Sequence, residues 1–297
     1  MTAPTASTSL PPLQLLSAHK CHGGQVQFVR HLSSTTLTPM TFSVFIPPQA
    51  QAGPVPVLYF LSGLSCTAEN FTTKAAAQKY CAQHGLLLVA PDTSPRGAGV
   101  PTEDDSYDLG TGAGFYVNAT EAPWAPRYRM YDYVTRELPA LIAAHFPARA
   151  DRASIFGHSM GGHGALICAL KNPGMYQSVS AFAPICAPSL CPWGQKAFTA
   201  YLGTDRSAWA AYDASELLKN VAVQDVPSPI LIDQGAADGF LKDQLHPQVL
   251  LDIAKQRGIA VDYRLHAGYD HGYYFITTFV EDHIAHHARA LHKSAAQ

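Results

Sequence analysis

ASIFGHSMGGHGALICALK, residues 153–171, contains G-x-S-x-G at Gly157, Ser159 and Gly161. ASIFG reads as a buried strand, and MGGHGALICALK reads as a helix with small residues in its first turn. A strand that enters a helix through so tight a turn holds the serine in a strained backbone conformation with its hydroxyl projecting outward. Small neighbours must clear space for that backbone, and Gly157, Gly161 and Gly162 do so. The helix N-terminus then directs N–H groups toward developing negative charge. Ser159 is therefore a candidate nucleophile rather than a buried serine in a glycine-rich turn.

Outward from this turn, short apolar runs alternate with helical periodicity. Strands are expected at 25–32, 41–46, 55–61, 86–90, 154–157, 179–183, 230–233 and 261–265, and helices at 72–84, 130–145, 160–171, 246–257 and 273–290. Unbroken runs such as VLYFL and LLLVA suit strands buried on both faces of a parallel sheet. The first two strands alternate more and suit an antiparallel pair at the sheet edge. The repeating order specifies an α/β fold, a mostly parallel central sheet with helices on both faces. One domain over 1–297 is expected, with residues 1–12 a loose tail and insertions at 92–127 and 184–213.

Composition narrows the function classes. Only 14% of residues are charged, against about 25% in average soluble proteins. A net charge of -2 argues against non-specific nucleic-acid binding. The uncharged stretch His31–Ala68 is broken by five prolines, so no membrane helix is expected there. MTAPTASTSLPP lacks the basic and apolar regions of a secretory signal. The six cysteines are too sparse for a disulfide scaffold and show no C-x-x-C spacing. Free thiols in a cytoplasmic protein are the expectation.

A serine nucleophile needs a base, and the base an orienting acid, in chain order Ser, Asp/Glu, His. In PILIDQGAADGFL, Asp238 lies past the strand end, where catalytic loops of open α/β sheets sit. Asp233 lies on the strand itself, which suits a structural role. The segment VDYRLHAGYDHGYYF offers His271 in a glycine-bounded loop before the last helix, with His266 as rival. For the oxyanion, Met160 N–H follows the nucleophile, and the turn in VLYFLSGLSCT presents Leu64 N–H, with Gly63 next. Cys66 is a rival nucleophile without a dedicated base. His158 and His163 are expected to pack around the turn. His283, His286 and His287 are expected on a solvated or half-buried helix face rather than at a metal. No metal or cofactor is expected, and GTGAG at 110–114 lacks the strand–helix frame of a nucleotide loop.

Seven ordered segments carry a family resemblance: LSGLSCT (61–67), APDTSPRG (90–97), GTGAGFYVNATEAPW (110–124), GHSMGGHGAL (157–166), CPWGQKAF (191–198), DQGAADGFL (233–241) and YDHGYYF (269–275). The chain resembles the S-formylglutathione hydrolases, the esterase D-type branch of the α/β-hydrolases. The resemblance implies hydrolysis of a glutathione thioester to glutathione and formate, a step of formaldehyde detoxification, with no cofactor. By position it implies Ser159, Asp238 and His271 as the triad, Cys66 near the site, and a cytoplasmic dimer. Ser65, Ala68 and Asn118 depart from the pattern without touching the triad, which leaves acyl range open. A small formyl group calls for a tight pocket, for which Trp193 is a candidate wall. The two carboxylates of glutathione call for cations, for which Arg127 and Lys196 are candidates by loop position. A general carboxylesterase or acyltransferase of the same fold is the rival function, and a catalytically dead scaffold requires a broken triad.

Overall fold

The computed structural model describes residues 11–293. Residues 1–10, most of the expected tail, lie outside it. Nine strands form one sheet: β1 (Gln14–Cys21), β2 (Gly24–Leu32), β3 (Pro39–Ile46), β4 (Val55–Leu61), β5 (Leu87–Pro91), β6 (Ala148–His158), β7 (Val179–Phe182), β8 (Ile230–Gly235) and β9 (Val261–His266). Their spatial order is β1-β2-β3-β5-β4-β6-β7-β8-β9. The first three strands and the β3–β5 pair are antiparallel, and from β5 to β9 every pair is parallel. The antiparallel edge thus matches the alternating pattern of 25–46. β1 is one strand more than expected, because its largely exposed residues give no periodic signal.

β4, β5 and β7 are buried throughout, as their unbroken apolar runs require. β6 begins at Ala148 rather than 154, and its polar first half pairs with the start of β4. The expected helix at 72–84 is two pieces, α1 (Ala68–Lys74) and α2 (Ala77–His84). Ala76 between them takes a left-handed conformation, φ 56°, which ends one helix before the next begins. The segment 130–145 is helical as α3 (Met130–Asp132) and α4 (Leu138–His145), joined by a wider five-residue turn at 133–137. α5 (Met160–Lys171) follows β6 directly. The insertion at 184–213 contains α6 (Pro192–Leu202) and α7 (Arg206–Trp209), with α8 (Ala214–Asn220) just beyond, none of them expected from the sequence. α9 (Pro247–Arg257) and α10 (Tyr273–Leu291) complete the layers. The segments that leave the C-terminal ends of β4, β6 and β8, and the one between β9 and α10, meet at one end of the sheet. That is where open parallel sheets place their ligands.

Candidate active site

Ser159 stands between β6 and α5 with φ 58° and ψ −120°, a conformation rare for any residue but glycine. Its surroundings over-determine it. Its N–H donates to the Phe182 carbonyl at 2.9 Å, and its carbonyl accepts from the His163 and Ile185 N–H groups. A Cβ at Gly161 would overlap the backbone carbonyls of Leu61 and Ser62, so only glycine lets α5 start this close to the end of β4.

Asp238 lies in the turn after β8 and His271 in the loop after β9. His271 Nδ1–H donates to Asp238 Oδ2 at 2.6 Å. The same oxygen accepts from Gln234 Nε2 at 3.0 Å, and Oδ1 accepts from the Phe240 N–H at 2.8 Å. Burial alone would raise the Asp238 pKa, but these donors and the histidine's charge outweigh it and hold the carboxyl below its usual value. An ionised carboxylate only accepts, so the proton of neutral His271 resides on Nδ1 and its Nε2 is free to act as a base. Ser159 and His271 line one cavity of about 230 Å³, together with Leu64, Cys66, Trp193 and Phe240. No direct hydrogen bond joins them, a looseness that commonly closes only along the reaction.

The rival residues have other partners. Asp233 Oδ1 accepts from Arg264 Nε at 2.6 Å and Oδ2 from Arg264 Nη2 at 2.7 Å. His266 Nε2 lies 3.2 Å from Oδ1, and His283 Nε2 donates to Oδ2 at 3.3 Å. Burial opposes ionisation there, but the His283 and Arg264 contacts hold the Asp233 pKa at about 2. His283 and His287 are fully buried, which corrects the expectation of a solvated or half-buried face; only His286 is half-buried. Burial lowers the pKa of both His283 and His287 and so favours the neutral rings, for which Asp233 sets the direction of each bond. With its Nε2–H donating to the carboxylate, neutral His283 accepts from the Ser180 hydroxyl at Nδ1, 2.7 Å. Ser180 Oγ in turn accepts from His287 Nε2 at 2.8 Å, and His287 Nδ1 accepts from Ser178 Oγ at 2.8 Å. The helical spacing of these histidines serves to bolt α10 to β7 and β8. Among the described residues no cluster of His, Cys, Asp or Glu is arranged to hold a metal, and no helix is long and apolar enough to cross a membrane.

The turn after β4 presents Leu64 to the cavity. Ser65 N–H donates to the Gly112 carbonyl at 2.8 Å and Cys66 N–H to the Gly63 carbonyl at 3.3 Å. The Leu64 and Met160 N–H groups donate to no acceptor among the described residues. GTGAG, unassigned from the sequence alone, buttresses this turn. Gly112, at φ +80°, packs so close that a Cβ there would sit 2.8 Å from Ser65 Cα. Its N–H donates to Ser94 Oγ at 2.7 Å, and the nearby Tyr116 hydroxyl donates to the Ser62 carbonyl at 2.9 Å.

Trp193, at the start of α6, forms a cavity wall; its Nε1–H donates to the Tyr107 hydroxyl at 3.0 Å and its ring packs 4.7 Å from Phe240. Cys66 also lines the cavity. Burial raises its thiol pKa, with Tyr273, Lys74 and Arg96 opposing, so the thiolate is disfavoured. Arg127 and Lys196 do not line the cavity. Arg127 donates to the Leu37 carbonyl at 2.8 Å, and Lys196 bonds Ser106 and pairs with Asp108, steadying the segment that bears Tyr107. Tyr107, Phe240, Tyr273 and His158 are lining residues that the sequence did not single out as substrate contacts. Phe240 and Tyr273 each fall two positions after a triad candidate, the one signal that marked them.

The chain has relatives over most of its length. The esterase family model matches residues 33–286. The S-formylglutathione hydrolase of Rattus norvegicus is 56% identical over 280 residues, which is 94% of this chain and 99% of that protein. The chain belongs to the S-formylglutathione hydrolase family. The Bos taurus member is 55% identical over 283 residues. A solved S-formylglutathione hydrolase from Agrobacterium tumefaciens superposes with TM-score 0.89 at 48% identity, covering 93% of this chain and 99% of that one. The Staphylococcus aureus serine hydrolase FphF superposes with TM-score 0.71 at 19% identity, a likeness of fold alone, and the fold is that of the α/β-hydrolases.

Proposed function

We infer that this chain hydrolyses S-formylglutathione to glutathione and formate, and that Ser159, His271 and Asp238 carry out the reaction. Full-length identity of 56% to an S-formylglutathione hydrolase carries the substrate assignment. The Asp238–His271 bond beside a strained serine supports the mechanism. Ser159 Oγ attacks the formyl carbon while His271 Nε2 takes its proton, and Asp238 stabilises the imidazolium. The oxyanion lies between the Leu64 and Met160 N–H groups. The carbon–sulfur bond breaks, and the proton on His271 passes to the departing sulfur to give glutathione. Water then attacks the formyl-serine ester with His271 as base, which releases formate and restores the hydroxyl.

Walls built from Trp193, Phe240 and Tyr107 suit a small acyl group. No Lys or Arg is among them, an observation that favours a second reading: simple esters of short acids are also substrates. Comparing kcat/KM for S-formylglutathione with that for p-nitrophenyl acetate separates the two. The thioester is expected to lead by at least about tenfold, since binding energy from the remote parts of the substrate is realised in the transition state. An ester preference of orders of magnitude would refute the glutathione assignment. The reading extends to a cytoplasmic homodimer, which sedimentation checks.

A further inference from the structure

His158 precedes the nucleophile, is 7% exposed, and lines the same cavity. Its ring lies against that of His271, with centroids 4.4 Å apart and planes inclined by 45°. Its Nδ1 edge faces Gly63 in the turn after β4, and Tyr273 flanks it at 6.4 Å. Its Nε2 is buried without a hydrogen-bond partner, so at that edge the ring acts by packing. On its other side His271 meets the edge of Phe240, centroids 5.0 Å apart at 78°. The imidazole of His271 therefore has one hydrogen bond, to Asp238, and two flanking rings that oppose rotation.

We propose that His158 is a positioning residue for the base, its tilted ring packing against His271 and fixing the orientation that the Asp238 bond requires. The inference rests on the triad reading above. A nonpolar ring could supply the same packing surface, so the shape of His158 is what acts on His271. Burial first, and then the His271 charge beside it, hold the His158 pKa well below its ordinary value, so it carries no competing positive charge when His271 becomes imidazolium.

Asp238 stays ionised, its pKa held low by its donors after the opposing effect of burial. The Cys66 and Tyr273 pKa values are raised, chiefly by burial, and both groups stay protonated. Lys74 lies over the outer face of Tyr273, and the Asp270 carboxylate accepts the Gly272 N–H.

His158→Ala is expected to lower kcat for S-formylglutathione about 10- to 30-fold with KM within about twofold, because orientation of the base acts on the chemical step. His158→Phe, which keeps the ring face, should recover most of kcat. If the alanine variant does not fold, His158→Asn, too short to pack in the same way, carries the same prediction. Unchanged kcat in the truncated variant, or a phenylalanine variant as slow as it, would overturn the proposal. Ser159→Ala and His271→Ala in the same assay should abolish turnover. If they do not, the triad reading fails; if they do while the His158 series is flat, only the positioning role falls.

Discussion

Gly112 touches neither the cavity nor the proposed triad, yet Gly112→Ala should slow catalysis. The substitution places a Cβ 2.8 Å from Ser65 Cα, whereas carbon atoms pack at about 3.5–4.0 Å. The turn after β4 must therefore retreat by about 0.7 Å or more, because both partners are backbone and neither can rotate away. Leu64, whose N–H is proposed to bind the oxyanion, is the residue before Ser65. A displacement near 1 Å in a catalytic group costs about 100-fold, and outright loss of an oxyanion donor about 3–4 kcal/mol. A fall in kcat of about 10- to 100-fold is expected, or about 1.4–2.7 kcal/mol in the barrier. Left-handed backbone strain at an alanine adds about 1 kcal/mol of instability that has nothing to do with the rate. Gly97 provides the control. At φ +61° it has the same handedness, but a Cβ there meets nothing within 4 Å. Gly97→Ala should lose comparable stability in thermal melts and keep wild-type kcat. Single-turnover acylation of the two folded variants is the decisive assay. If Gly112→Ala acylates within twofold of wild type, the GTGAG segment does not hold the oxyanion turn.

Asp238→Asn removes the acceptor that keeps the His271 proton on Nδ1. By analogy with the equivalent change in serine proteases, kcat should fall by about 10⁴ with KM little changed, checked by steady-state kinetics at neutral pH. Acid should destabilise the fold in two stages. Desolvation lowers the pKa of His158, His283 and His287 and brings His163 and His286 to about 4. Their depressed values mean that stability is full above the unfolded pKa of about 6.5 and declines as pH falls through it; for His163 and His286, held at about 4, the loss is about 1 kcal/mol each between pH 6 and 5. Asp233, held at about 2, contributes stability above about 3.9 that is lost toward pH 2. Thermal melts from pH 7 to 3 test this, and a flat Tm between 7 and 5 would contradict it.

Much of the site is legible in sequence because its chemistry is local. The G-x-S-x-G turn requires glycines at fixed offsets from the serine. Asp238 and His271 each follow a short buried or half-buried strand, and loops at strand ends of a parallel sheet converge. Apolar runs identify the parallel strands for the same reason: residues buried on both faces leave no polar position. β1 and the helices of the insertion are illegible. β1 is held by pairing rather than by its own pattern, and α6 by packing Trp193, Phe198 and Tyr201 against residues distant in sequence.

Amino-acid order alone singled out Ser159 as the candidate nucleophile, narrowed its partners to Asp238 or Asp233 and His271 or His266, and indicated the fold, since strand–turn–helix chemistry is written within a few residues. Tertiary structure decided the rest. It assigned Asp233 to Arg264 and His283, turned a row of helix histidines into a buried bolt, set His158 against His271, and made GTGAG a buttress rather than a nucleotide loop. Each of these depends on side chains or backbone far apart in sequence meeting at van der Waals or hydrogen-bond distance. Such meetings are fixed by how the sheet and its layers pack, and no local pattern encodes them.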